Sequence, residues 1–159
     1  MKKSTKSAVR IIVAGSRSMR DYGIMRNTFN DYVKCRQYDT DTIKSIEIVY
    51  GECDTGADAI AELFAKRNGL RLTGFPPDWK RYKKAAGPLR NKQMAEYASQ
   101  SEDSVLLAFW DGNSPGTRSM IEEALNVGMW VRVTNVFTGE DMIVPSFDKP
   151  GIHKETQAE

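Results

Sequence analysis

Three short stretches of this sequence carry the residue types that grip phosphate. Gly15-Ser16-Arg17 joins a small residue, a hydroxyl and a guanidinium. Glycine permits close approach, and arginine can hold a phosphate through two parallel hydrogen bonds. Gly51-Glu52-Cys53-Asp54-Thr55-Gly56, with Asp58 just beyond, sets two glycines around carboxylates. Asp111-Gly112-Asn113-Ser114-Pro115-Gly116-Thr117 offers the fullest set. Ser114 and Thr117 bring hydroxyls, and a helix starting here would bring free amides to an anion. Each stretch follows an apolar run. If those runs are parallel strands, all three turns lie at one edge of one sheet, where open α/β sheets bind ligands. The pattern points to a small phosphate-bearing molecule, a nucleotide above all.

Further residues join this set with less specific chemistry. Asp78 and Trp79 follow the rigid Pro76-Pro77 pair. Trp79 has the shape to stack on a base, or to anchor a long loop. Lys80, Arg81, Lys83 and Lys84 form a basic run that mostly suits a solvated face. Arg90 falls in the opening turns of a helix, where a cation opposes the dipole; a phosphate or an acidic partner would remove the conflict. Asn91 can read a base, a ribose or backbone groups. Asp54 and Asp58 are the candidate catalytic carboxylates. Each also has a structural alternative: Asp54 as a helix cap, Asp58 as a first-turn acid favouring the dipole. Thr117 has an alternative as the cap of its own helix. Neither common glycine fingerprint is present: no Lys-Ser/Thr follows Gly56, and Gly15 opens no Gly-x-Gly-x-x-Gly.

The elements that must position these residues alternate. Strands are expected at 9–14, 46–50, 70–75, 105–110 and 129–133, and helices at 22–36, 56–68, 88–99 and 117–127. The stretch 37–44 reads as a loop, and 78–86 as an irregular basic segment. Residues 136–144 read as a hairpin around Thr138-Gly139-Glu140-Asp141. The fold class is α/β: a Rossmann-like three-layer fold with a mostly parallel five-stranded sheet and a C-terminal β-hairpin. The expected division is a flexible basic tail at 1–7, a single domain at 8–147 and a polar tail at 148–159.

Size and charge bound the function. The chain has 159 residues, enough for one domain with a real core. Its 23 basic and 21 acidic residues leave a net charge of +2, so bulk charge disfavours nucleic acid as a partner. Cys35, Cys53 and the lone His153 supply neither a disulfide scaffold nor a zinc site, and no metal site is expected. The absence of an 18-residue apolar run argues against a membrane span, and a cytoplasmic location follows as the default.

In order and spacing, Val13-Ala14-Gly15-Ser16-Arg17, Gly56-Ala57-Asp58, Pro77-Asp78-Trp79, Gly87-Pro88-Leu89-Arg90-Asn91 and Phe109-Trp110-Asp111-Gly112 with Gly116-Thr117 resemble one family. It is the YspA-like group of the SLOG superfamily of Rossmann-like proteins, which also holds the LOG phosphoribohydrolases. The resemblance implies a nucleotide or ADP-ribose-like ligand and no certain cofactor. It places Gly15, Ser16 and Arg17 on the ligand edge, has Gly56 and Asp58 organise the second loop, points Arg90 and Asn91 inward, and gives phosphate to Gly116 and Thr117. Relatives often assemble, so a homo-oligomer is a further expectation, and a phage origin is compatible with the group. Two departures stand out. The second loop usually reads Gly-Gly-Ala-Arg-Gly-Ala-Asp, but here carries Glu52 and Asp54 and lacks the arginine. The hydrolases' Gly-Gly-x-Gly-Thr-x-x-Glu ends here in Met120, which cannot act as acid, base or nucleophile. Three functions stay open: a nucleotide-binding protein, an N-glycosidic hydrolase using Asp54 or Asp58 on a nucleoside monophosphate or NAD-like substrate, and nucleic-acid binding through the 80–90 segment.

Overall fold

The computed structural model describes residues 9–142. Its centre is β1 (Val9–Gly15), a run of apolar and β-branched side chains buried along both faces. A strand of that kind needs cover on both sides, which parallel sheets with crossover helices supply. The chain then runs α1 (Tyr22–Arg36), α2 (Thr40–Lys44), β2 (Glu47–Tyr50), α3 (Gly56–Arg67), β3 (Arg71–Gly74), α4 (Trp79–Tyr82), a 3-10 turn at Lys83–Ala85, α5 (Ala86–Ala98), β4 (Asp103–Trp110), α6 (Pro115–Asn126) and β5 (Trp130–Asn135). All four strand pairings are parallel, and the order is β3-β2-β1-β4-β5. The chain builds outward from β1 to β3 on one side, then crosses back to place β4 on the other. That reversal is the topological switch point of a doubly wound Rossmann-like sheet.

Two apolar layers sandwich the sheet. On one face Ile11, Val13 and Ile48 meet Met25 and Phe29 of α1 and Ala61, Phe64 and Ala65 of α3. Phe29 and Phe64 pack with their rings tilted and their centres 4.7 Å apart. On the other face Ile12, Ala14 and Val49 meet Met94, Ala95 and Ala98 of α5 and Met120, Ile121 and Ala124 of α6. The start of β1 adds a buried ionic cluster to this second layer. Arg10, 7% exposed, donates to Glu47 at 3.2 Å and to the Tyr97 carbonyl at 2.7 Å, with its guanidinium stacked over the Tyr97 ring. The Tyr97 hydroxyl and the Thr73 hydroxyl both donate to the other Glu47 oxygen. Neither charge is left alone, which is the condition for keeping an ion pair inside.

Two readings from sequence need correction, and a third is met only in part. Residues 37–44 are not wholly loop: Asp39 caps the short α2 by accepting from the Thr42 amide at 2.8 Å. Residues 78–86 are not irregular, because Asp78 caps α4 through the Arg81 amide and a 3-10 turn follows. In both cases one aspartate converts a polar stretch into a helical turn. The third is the reversal after β5. The Asn135 amide bonds Glu140, the Met142 amide bonds Val133, and Thr134 forms an isolated antiparallel bridge with Asp141. Within the described residues this is a bridge rather than a paired strand. The rest of the expected hairpin and both expected tails lie outside the described residues.

Candidate functional site

The C-terminal ends of the strands open on a cavity of about 670 Å³. Four loops and two helices wall it. After β1 come Gly15 and Arg17; after β2, Gly51 to Thr55 and Asp58; after β3, Pro77, Trp79 and Lys84; after β4, Ser114 to Thr117. Arg90, Asn91 and Met94 of α5 and Ser119 and Met120 of α6 complete it. The chain thus gathers at the switch point most of the residues whose types suggested ligand chemistry.

Close backbone packing makes two glycines necessary. Gly15 lies against the Phe109 carbonyl and Ala57, where a Cβ has no room. Gly56 has φ +68° and lies against the backbone of Ser16 and Arg17. An L side chain there would be both strained and obstructed. Ser16 is buried beneath this contact. Its amide donates to the Phe109 carbonyl at 2.8 Å, and its hydroxyl accepts from the Asp111 amide at 3.1 Å. Ser16 therefore ties the β1 loop to the β4 loop and does not line the cavity. Gly56, Asp78, Asp111 and Gly112 stand outside the wall as well. Asp111 is a turn-former, accepting from the Asn113 and Ser114 amides at 2.8 Å each. Those bonds hold its carboxyl below the ordinary aspartate value.

The start of α6 differs from the expectation in a useful way. The helix begins at Pro115, and Ser114 is the cap, with its hydroxyl accepting from the Thr117 amide at 3.5 Å. Proline at the first helical position loses no hydrogen bond. Thr117 is 3% exposed, and its hydroxyl donates to Ser114 at 3.2 Å. Gly116, by contrast, faces open space: a Cβ there would meet no atom within 4 Å.

Arg90 finds the acidic neighbour that its place in the helix demanded. It donates to the Gly51 carbonyl at 2.6 Å, to the Phe75 carbonyl at 3.4 Å and to the Asn91 side chain at 3.0 Å. Burial pushes its guanidinium below the usual range, while Asp58 beside it favours the charge. Asp58 accepts from the Cys53 amide at 3.1 Å. Burial raises its carboxyl above the ordinary value, against the Cys53 and Gly51 amides and the Arg90 and Arg17 charges. Gly51 lies between the two, where a Cβ would run into the guanidinium. Asn91 is equally committed, donating to the Gly116 carbonyl and to the Ser119 hydroxyl at 3.2 Å each. It locks α5 to α6. The expected cap role of Asp54 is not met, since Thr55 precedes α3 and makes no side-chain cap. Asp54 is instead exposed on the cavity wall.

Glu52 and Lys84 also line the cavity, and neither stands out from the sequence as a site residue. Glu52 has φ +60°, and its carboxylate occupies the space left by the missing side chain of Gly74 on β3. The available signal was position alone: every residue of a loop that follows a parallel strand has access to this edge. Of the basic run, Lys80, Arg81 and Lys83 are exposed and do not line the cavity. Met94 and Met120 supply apolar wall, with Met120 buried where the hydrolases carry glutamate. Among the described residues no group of three His, Cys, Asp or Glu side chains is arranged to hold a metal, and no helix is long and apolar enough to cross a membrane.

No curated protein and no solved structure matches the chain. Residues 9–82, from β1 through α4, match the model of the family described as YAcAr: YspA, cpYpsA-related SLOG family. The parallel sheet and the family link together support a general nucleotide-binding role. This matched segment, just under half of the chain, builds three of the five strands and the first two walls of the cavity, and through it the chain is similar to the YspA, cpYpsA-related SLOG family.

Proposed function

We propose that the protein binds a nucleotide or nucleotide-derived small ligand, an ADP-ribose-like molecule included, in the cavity at the C-terminal edge of the sheet. The observation that carries this reading is the position of the cavity at the switch point, with the α6 N-terminus opening on it. A phosphate sits against the Gly116 amide at the start of α6, and Arg17 pairs with its charge. Trp79, 54% exposed and on the cavity wall, covers the base. Arg90, Asn91 and Ser16 act one step back, since each is committed to fixing a loop or a helix. The test is thermal stabilisation of the protein by AMP, GMP, GTP, NAD and ADP-ribose, with release of free base followed by chromatography. Stabilisation by at least one of them without base release is expected. No stabilisation by any of them overturns the reading.

A second reading, N-glycosidic hydrolysis, is favoured by one observation: a carboxyl with a raised pKa, that of Asp58, on the wall of a cleft. Asp58 or Asp54 would then stabilise positive charge developing on the ribose. Base release abolished by Asp58→Asn or Asp54→Asn supports it; turnover unchanged in both rejects it.

A further inference from the structure

The cavity carries a charge balance that sorts ligands by their number of phosphates. Its lining includes three cationic side chains, Arg17, Lys84 and Arg90, and three carboxylates, Glu52, Asp54 and Asp58. Arg90 and Asp58 offset each other and are spent on the backbone of the β2 loop. What remains to meet a ligand is two cations and two carboxylates, a wall with no net charge. A nucleoside triphosphate brings about four negative charges and a monophosphate about two, the second phosphate pKa being near 6.

The layout sharpens this. The α6 N-terminus follows β4, and the acidic loop follows β2; β1 lies between them. With strands about 4.8 Å apart, the two ends are separated by about 10 Å. One phosphate at α6 leaves a ribose within reach of the β2 loop, where its hydroxyls can donate to carboxylates. A chain of phosphates running the same way meets Glu52 and Asp54. Like charges at such range in a partly enclosed cleft repel by much more than they would in open water. Among the described residues these carboxylates are not grouped as metal ligands.

We infer that the acidic β2 loop is a selectivity element: the cavity prefers a nucleoside monophosphate to the triphosphate of the same base, because Glu52 and Asp54 exclude triphosphates. This rests on the nucleotide-binding reading above. Glu52 is the sharper of the two, because the absent side chain at Gly74 is what gives its carboxylate its place.

The test is titration calorimetry of the full chain with AMP, GMP, ATP and GTP, in EDTA and at constant ionic strength. The wild type is compared with Glu52→Gln/Asp54→Asn and with Glu96→Gln, an exposed charge change outside the cavity. The wild type is expected to bind the monophosphate of the preferred base at least about tenfold more tightly than its triphosphate. The double variant is expected to lose most of that ratio, and Glu96→Gln to keep it. Equal or tighter triphosphate binding by the wild type overturns the inference and leaves the nucleotide reading standing. So does a ratio that survives in a double variant whose melting temperature shows it folded. Failure of all four ligands to bind any of the three proteins overturns the inference, and overturns the nucleotide reading as well when NAD and ADP-ribose also fail to stabilise the chain.

Discussion

Asp58 shows how one side chain serves structure and function at once. It lies in the first turn of α3, holds the Cys53 amide, and sits beside the Arg90 guanidinium. Because burial raises its carboxyl, the folded chain holds that proton more tightly than the unfolded chain does. The stabilisation is therefore fully present below the ordinary value of 3.8 and is lost as pH rises through the raised folded value. Asp58→Asn removes this dependence. Urea titrations should show that from about pH 4 upward the variant's stability falls less steeply than the wild type's. A slope equal to the wild type's would mean that Asp58 titrates as it does in the unfolded chain. Residue types made Asp58, Arg90 and Asn91 visible in the sequence, but not their commitments. An arginine in the opening turns of a helix asks for an acidic partner; which acid answers is decided by the approach of Asp58 and Arg90 across 32 positions of chain, and no local pattern encodes it.

At the scale of elements, the apolar periodicity of the strands and long helices was enough to place them to within a few residues, because each must bury one face or both. The short elements escaped. Neither α2 nor α4 has a fully buried residue, and each is opened by a single aspartate cap. The start of α6 was misplaced because Ser114 and Thr117 are both good caps, and the choice rests on Pro115 fitting the first helical position. The Arg10–Glu47–Tyr97 cluster could not be read either, since a charged residue at the head of each strand looks like a solvated end. It fixes the far end of α5, the helix that presents Arg90 and Asn91 to the cavity. Glu47→Ala strands a buried guanidinium and leaves two hydroxyls without their acceptor. It is expected to cost about 3–5 kcal/mol in chemical denaturation. A loss below about 1 kcal/mol would show that water reaches Arg10 and that the cluster does not anchor the helix.

For the whole molecule, the strand order matters more than any single contact. The central pairing joins residues as distant along the chain as Val9 and Asp103. Everything that forms the third and fourth walls of the cavity lies in or after the segment that crosses back over β1. The two halves of the site therefore belong to parts of the chain that meet late, because closing so long a loop is slow and unrewarded until the strands pair. Time enters through this topology. A ligand has nothing complete to hold until β4 has docked, so it cannot hurry the chain toward its native state, and acts only on the way out. In stopped-flow experiments a bound nucleotide should slow unfolding in proportion to its affinity and leave the refolding rate unchanged. Faster refolding in its presence would mean that the first half of the sheet already holds the ligand alone. For this fold, occupancy governs how long the native state lasts rather than how soon it arrives.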